Sequence, residues 1–358
     1  MSKNDDTLTT PEKQPSDPIN IFLPGELPEG EIPGYDQIES ELKAFEAEER
    51  KRLGIVEEKP DHWRDENPQK FTRDQRDSTT ILLGGLTMAH DILISSAMKG
   101  LGYRVQAMDC PDYESLRVGK EFGNRGQCNP TYFTVGNLIK YLVHLRDEEG
   151  ISTEEIIEKN LFITAGACGP CRFGTYVTEY RKALADSGFE GFRVMLFQQQ
   201  GGLQQATGED PGLEFNPKFF ISLLKAVIAG DALNTVGYRI RPYEINPGET
   251  NKVLEECKTL LKTAFEKRRS VVRALYKCRK LLNAIPINRL QPKPKVSIIG
   301  EFWAMTTEGD GNYQLQKFLE AEGAEVDIQI ITAWILYNLW EHQNDTRRRQ
   351  MLREDDER

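Results

Sequence analysis

Two thiols set three positions apart are the residues of this chain best suited to chemistry. Cys168 and Cys171 stand in the string Gly166-Ala167-Cys168-Gly169-Pro170-Cys171-Arg172-Phe173-Gly174. Gly169 lets the backbone turn sharply and Pro170 then fixes its direction. Two thiols on one loop ahead of a helix are stabilised as thiolates, which suits a soft metal ion, an iron–sulfur cluster or disulfide exchange. Cys128 precedes Asn129-Pro130, an ordinary helix start, so a helix dipole favours its thiolate as well. Cys110 lies on a loop after an expected strand. Cys257 and Cys278 fall on apolar positions of a long helical pattern, where free cysteine is usually an inert core residue.

The spacing narrows the chemistry without settling it. A thioredoxin-type site would follow the first strand of a chain of about 100 residues and needs no further cysteines. Structural zinc wants four Cys or His ligands, commonly in two close pairs, and His62, His90, His144 and His342 are scattered. Three cysteines from two loops suit a [4Fe–4S] cluster with one iron open or otherwise ligated. On the residues alone the cluster stands only slightly ahead of zinc.

The elements that must position these thiols follow from periodicity. Thr80 to Gly84 reads as a buried strand, Met88 to Lys99 as a helix and Tyr103 to Met108 as a strand, a βαβ unit that delivers Cys110. Helices are expected over Glu114–Phe122 and Pro130–Leu145. Ser152 with Glu155 forms a capping-box signal before a short helix that hands over to the strand at Leu161. That strand ends at the Cys168/Cys171 loop, the helix Tyr176–Ala185 follows, and a strand Phe192–Phe197 runs into Gln198-Gln199-Gln200. Strand–helix alternation on this spacing is the signature of a doubly wound sheet, whose ligands sit at strand-to-helix crevices. Helices are expected over Pro217–Ile228, Asp231–Val236 and Thr250–Leu282. A second α/β section has strands Lys295–Gly300 and Val326–Ile331 and helices Tyr313–Glu322 and Ala333–Trp340.

The fold class expected is therefore α/β, two Rossmann-like lobes with parallel sheets joined by a helical segment. Residues 1–77 read as a charged, proline-rich arm, largely disordered, with one helix from Gln37 to Leu53 and a wrapping role on a partner subunit as the alternative. Residues 78–215 form the first lobe, 216–290 the helical segment, 291–342 the second α/β portion and 343–358 a charged tail. At 358 residues and 40.8 kDa the chain is long enough for two domains of ordinary size. Its net charge of −10 argues against nucleic acid as the main partner. No apolar run approaches the roughly 20 residues that cross a bilayer, and the N-terminus has no signal-peptide core. No membrane association and a cytoplasmic setting are expected.

Several strings resemble one superfamily. They are Gly119-Lys120-Glu121-Phe122-Gly123-Asn124 through Cys128-Asn129-Pro130, Gly136-Asn137-Leu138-Ile139, and Gly166 to Gly174 with Tyr176. Arg241-Pro242-Tyr243-Glu244 before Gly248-Glu249, and Gly300-Glu301-Phe302 with Asn312 and Leu319 to Gly323, belong with them. Together they resemble the 2-hydroxyacyl-CoA dehydratase/benzoyl-CoA reductase superfamily, most closely the large proteins related to acyl-CoA dehydratase activases. The resemblance covers roughly Thr79 to Glu341, and Gly-Pro-Cys-Arg-Phe-Gly is its most specific part.

The resemblance implies an oxygen-sensitive [4Fe–4S] protein that receives low-potential electrons from a separate ATPase activator carrying its own cluster. The recipient dehydrates a 2-hydroxyacyl-CoA, reduces an aromatic thioester or reduces another small molecule, with a sister subunit or a homodimer as the assembly. By motif match Cys128, Cys168 and Cys171 are the cluster ligands, with Cys110 a weaker candidate. Two departures stand out. The family pattern at Cys128 often reads Asn-Asp-x-Cys-Tyr/His-Pro, whereas this chain has Asn124-Arg125-Gly126-Gln127-Cys128-Asn129-Pro130. The chain also has no Walker A loop, although many relatives carry a fused ATPase module.

Arg172 and Glu301 are the candidate catalytic residues. Arg172, beside the second thiol, suits holding negative charge on a reduced cluster or an anionic substrate, with a surface arginine as the alternative. Glu301 follows a strand-end glycine. Arg241 to Glu244 reads equally as an interdomain salt-bridge and turn element, and Gln198 to Gln200 as a cleft lining or a polar loop. The rival function is a non-catalytic iron–sulfur assembly scaffold or activase accessory, and a zinc-stapled α/β protein is a third reading.

Overall fold

The computed structural model describes residues 71–166, 172–197, 211–300 and 302–351, with Arg172 by its backbone alone, and scattered residues between 40 and 53. It divides into two compact units, Met1–His62 and Trp63–Arg358. In the first, the described residues from Ser40 to Arg52 are helical, and Arg52 pairs with Glu49 at 2.8 Å.

The larger unit is mixed α/β. Strands β1 (Thr80–Leu83), β2 (Val105–Ala107), β3 (Asn160–Ala165) and β4 (Arg193–Phe197) form one sheet in the order β2-β1-β3-β4, with every pairing parallel. Helix α1 (Met88–Gly100) joins β1 to β2. Helices α2 (Tyr113–Phe122), α3 (Asn129–Asp147) and α4 (Thr153–Lys159) return the chain to β3, and α5 (Tyr176–Asp186) leads to β4. β1 thus has β2 on one side and β3 on the other. This is the switch in strand order beside which open α/β sheets bind ligands.

Side-chain alternation along these strands fixes the layers. Leu82, Phe162 and Val194 are in register across the sheet and pack with Leu138, Ile139 and Leu142 of α3 and Tyr180 of α5. Their neighbours Ile81, Leu83, Leu161 and Met195 face the opposite side, with Met98 of α1 and Phe219. Both faces are covered, which is why the strands read as continuous apolar runs. Phe71 is fully buried in this second layer, and Gly212 N–H donates to its carbonyl at 2.8 Å. The folded unit therefore begins before residue 78, ahead of the boundary expected for the arm.

Helix α6 (Pro217–Ile240) runs unbroken where two helices were expected. Gly230 is no breaker, because a Cβ there would collide with the imidazole of His90 on α1. Conversely, the single long helix expected over Thr250–Leu282 is two, α7 (Glu249–Glu266) and α8 (Val271–Asn283). The chain turns at Arg268, with φ 51°, and Ser270 caps α8 by accepting from Arg273 N–H at 3.3 Å. Cys257 and Cys278 lie buried in the core between α7 and α8, as the pattern predicts. Contact with Cys278, and then burial, holds Cys257 protonated.

The span Pro217–Tyr243, which contains α6, also corrects the hydropathy expectation. It is 27 residues long, its most apolar window has mean hydropathy 1.5, and length and composition alone would let it cross a bilayer. Asp231 lies in the middle of that span, and α6 packs on α1 and α7.

The remaining elements are β5 (Lys295–Ile298), α9 (Phe302–Thr306), α10 (Leu315–Ala321), β6 (Glu325–Ile328) and α11 (Ile331–Met351). β5 and β6 pair in parallel. Trp303 of α9 stacks on Phe133 of α3, with ring centroids 5.3 Å apart, and joins this portion to the first sheet. α11 continues well past Trp340, so residues 343–351 of the charged tail are helical.

Candidate functional site

Cys128 is the one cysteine of the expected ligand set among the described residues. It is the N-cap of α3, one residue earlier than the sequence suggests, with extended backbone angles. Its Sγ lies 2.9 Å from Tyr176 Oη and 3.2 Å from Thr131 Oγ1. Both hydroxyls can donate to a thiolate, so the surroundings of Cys128 fit a sulfur that binds a metal. Tyr176 opens α5, five positions after Cys171, while β3 ends at Ala165, three positions before Cys168. Cys128 is thus tied to the first residue of α5, which follows the segment that carries Cys168 and Cys171. Cys168 and Cys171 themselves lie outside the described residues.

A buried carboxylate holds the loop that delivers Cys128. Glu179 of α5 accepts from Asn124 N at 3.2 Å, and from Asn124 Nδ2 and Gln127 Nε2 at 2.9 Å each. Tyr132 Oη donates to the Asn124 carbonyl at 2.9 Å and accepts from Gln127 N–H at 3.1 Å. Residues 124–127 are therefore fixed from α5 and α3 together.

Cys110 sits elsewhere, on the loop after β2. Its thiol donates to the Glu308 carbonyl. Burial, then the nearby carboxylates of Glu308, Asp310 and Asp91, push its pKa up to about 11. These surroundings favour the thiol over the thiolate that metal ligation needs. With Gly84, Gly85, Leu86, Asp91 and Asn137 it lines a cavity of about 20 Å³ at the carboxyl ends of β1 and β2, room for about one water. Burial pushes the Asp91 carboxyl up to about 7, although it accepts from Leu86 and Gly85 N–H at 3.3 and 3.2 Å.

The helix N-termini beside this cavity already carry anionic partners from the second α/β portion. Glu308 accepts from Met88 N–H at 2.9 Å, and Asp310 from Tyr113 N–H at 3.1 Å. Sequence reasoning missed Asp91, Glu308, Asp310 and Glu179. Asp91 had one local signal, an acid in the first turn of a helix after a strand-end glycine pair. The others act across 52 to 220 residues of sequence, which no local pattern encodes.

The Arg-Pro-Tyr-Glu string is a structural tie. Arg241 Nη1 binds both carboxylate oxygens of Glu320, at 2.7 and 2.9 Å, and Tyr243 Oη donates to Glu325 at 2.8 Å. Glu244 accepts from Gly248 and Thr250 N–H at 2.6 and 2.7 Å, at the start of α7. Burial works to raise the Glu244 carboxyl, and donation from Thr250 and Gly248 more than offsets it, leaving it below the usual range.

His90 is held in a buried hydrogen-bond chain. Its Nε2 lies 3.1 Å from Asp231 Oδ1 and its Nδ1 2.7 Å from Thr87 Oγ1, all three residues being buried. Glu301, the Arg172 side chain and Gln198 to Gln200 lie outside the described residues. Among the described residues no three His, Cys, Asp or Glu side chains are grouped to hold a metal ion. In comparisons with family models, curated proteins and solved structures, no match to this chain was found.

Proposed function

We propose that this chain is the [4Fe–4S]-binding redox subunit of an ATP-activated reductase or dehydratase system. Its substrate is an acyl-CoA-type thioester or another small molecule, and a separate ATPase activator with its own cluster supplies the electrons. Cys128, Cys168 and Cys171 hold three of the irons. The observation that carries the reading is the 2.9 Å contact between Cys128 Sγ and Tyr176 Oη, which ties the third thiol to the helix that follows the Cys-Gly-Pro-Cys loop. The cluster, when bound, supplies one-electron transfer at low potential.

This chain's own residues bind and orient. Glu179 and Tyr132 fix the loop before Cys128, and Tyr176 and Thr131 direct hydroxyls at its sulfur. Such hydrogen bonds stabilise a thiolate ligand and raise the potential of the metal it binds. The finer architectural reading, two Rossmann-like lobes joined by a helical segment, and a cytoplasmic setting with a sister subunit or a second copy, belong to the same proposal. The parallel strand order of the first sheet and the parallel β5–β6 pair support it.

Anaerobic purification with iron, sulfide and zinc analysis, followed by an EPR spectrum of the dithionite-reduced protein, tests it. The expected result is about four iron and four sulfide per chain with a reduced-cluster signal. Cys168→Ser removes most of the cluster absorbance and Cys257→Ser leaves it intact. One zinc per chain without iron, or the opposite pattern in the two variants, sinks the proposal.

A further inference from the structure

The net charge of −10 is unevenly divided along the chain. From Lys267 to Gly300 there are ten Lys and Arg and no Asp or Glu, so this stretch carries +10 and the rest of the chain −20. A basic segment inside an acidic chain is the sequence pattern of a surface for a polyanion.

The fold gathers these cations on the solvent side of α8. Ala274, Cys278 and Leu282 turn into the core against α7. Arg273, Lys277 and Lys280 follow one another at spacings of four and three, forming one exposed stripe, and Arg279 is exposed on the other flank. Lys267 and Arg269, also exposed, lie in the turn just before the helix. Among the described residues no carboxylate pairs with any of these side chains. The neighbouring helix α7 carries Glu249, Glu255, Glu256 and Glu266. Of these, Glu255 is held by Lys258 at 2.8 Å, and Glu256 acts on Cys257 and Cys278 at the seam between the helices.

Tyr276 is 57% exposed between the stripe and Arg279, with Lys280 Nζ 5.0 Å from its ring centroid. A flat ring among unpaired cations suits an unpaired base, which stacks while the flanking phosphates meet the cations. At about 1.5 Å of rise per residue the stripe is about 10 Å long, the reach of about three stacked nucleotides.

We propose that α8 and the turn before it form a binding surface for single-stranded nucleic acid, with Arg273, Lys277 and Lys280 on successive phosphates and Tyr276 against a base. The charge selects a polyanion, and the rest of the face selects among polyanions. A tight interface with an acidic protein has an apolar centre, whereas Val272 is the one exposed aliphatic side chain of α8. A membrane takes an amphipathic helix by its apolar face, and that face of α8 is buried against α7. Repulsion from the acidic remainder of the chain is screened beyond about 8 Å at physiological ionic strength, so the local cations decide the contact. The proposal stands independently of the cluster assignment.

Fluorescence anisotropy of a labelled oligouridylate, titrated with the full chain, tests it. The expected dissociation constant is about 1–100 μM at physiological salt, rising on the order of 50-fold between about 50 and 200 mM salt for about four phosphate contacts. Arg273→Glu with Lys277→Glu and Lys280→Glu should weaken binding at least about tenfold and flatten the salt dependence. Arg347→Glu with Arg348→Glu and Arg349→Glu, an equal change of charge on α11, should leave binding within about twofold. Tyr276→Ala should weaken oligouridylate binding about tenfold and leave inorganic polyphosphate binding unchanged. All the altered side chains are exposed, so the circular dichroism spectrum of each variant should match that of the native chain.

A native chain that leaves oligouridylate unbound at low salt overturns the proposal. So does an α11 reversal as damaging as the α8 reversal, or a Tyr276→Ala chain with undiminished affinity for oligouridylate. Phosphatidylglycerol vesicles or polyglutamate bound more tightly than oligouridylate, and lost on reversal of the α8 stripe, would make the partner a membrane or an acidic protein instead.

Discussion

Asp91 shows how much of a residue's chemistry is set by what surrounds it. In sequence it is an acid in the first turn of a helix, a stabilising position. In the fold it is buried at the end of the sheet, and burial outweighs donation from Leu86 and Gly85 to leave its pKa near 7. Its folded-state value lies above the unfolded value of 3.8, so its contribution to stability is complete below about pH 4 and is lost as pH rises through about 7. Asp91→Asn should flatten that loss, worth about 4 kcal/mol at most. Urea midpoints at pH 5 and pH 8 measure it. A native protein no less stable at pH 8 than at pH 5 would contradict the assignment. Cys110 carries the same lesson. Its type made it a candidate ligand, and its acidic, half-buried surroundings work against ionisation of the thiol.

At the scale of elements, α2 and α3 form the platform for Cys128, and glycines decide how closely they pack. A Cβ on Gly136 of α3 would overlap the Ser115 carbonyl of α2, and one on Gly119 of α2 would overlap the Tyr132 carbonyl of α3. The helices touch backbone to backbone. Gly136→Ala should therefore destabilise by about 3 kcal/mol or more despite the better helix propensity of alanine, because two rigid backbones must separate. The midpoint of thermal unfolding reads this, and an unchanged or higher midpoint would refute the close approach.

Most elements were legible in the apolar periodicity, though α9 was not, and the limits of β1, α1, α2 and α5 lie within a residue or two of expectation. The failures occurred where tertiary contact outweighed local preference. The break expected after Ile228 does not exist, and Gly230 at that point makes room for His90. Lys267 to Ser270 carried no glycine or proline, yet the chain turns there so that α8 can pack back on α7.

For the whole molecule, the joints between its parts are carboxylates. Asp231 bonds His90 of α1 and the first turn of α11, and Glu320 and Glu325 hold the Arg241–Tyr243 turn against α10 and β6. Burial works to raise the Asp231 carboxyl, and His90, Thr332 and Ile331 more than offset it, so it stays below the usual range. Its contribution is present above about pH 4 and is lost as pH falls through its lower folded value, the reverse of Asp91. Asp231→Ala strands the His90 ring and the first N–H groups of α11, and should cost about 3 kcal/mol. Hydrogen exchange in residues 331–335 should rise with it. Protection unchanged in that segment would mean that α11 is held by something else.

The sequence by itself determined the α/β class, most of the strands and helices with their order, and the buried positions of Cys257 and Cys278. Each rests on local periodicity, or on residue types whose preference survives any context. Only the tertiary structure decided that Cys128 meets Tyr176, that Glu179 clamps the loop before it, that Cys110 lies against Glu308, and that α6 and α11 carry exposed apolar side chains. Those outcomes depend on burial and on contacts across tens to hundreds of residues, where desolvation and hydrogen bonding, not spacing along the chain, set the free energy.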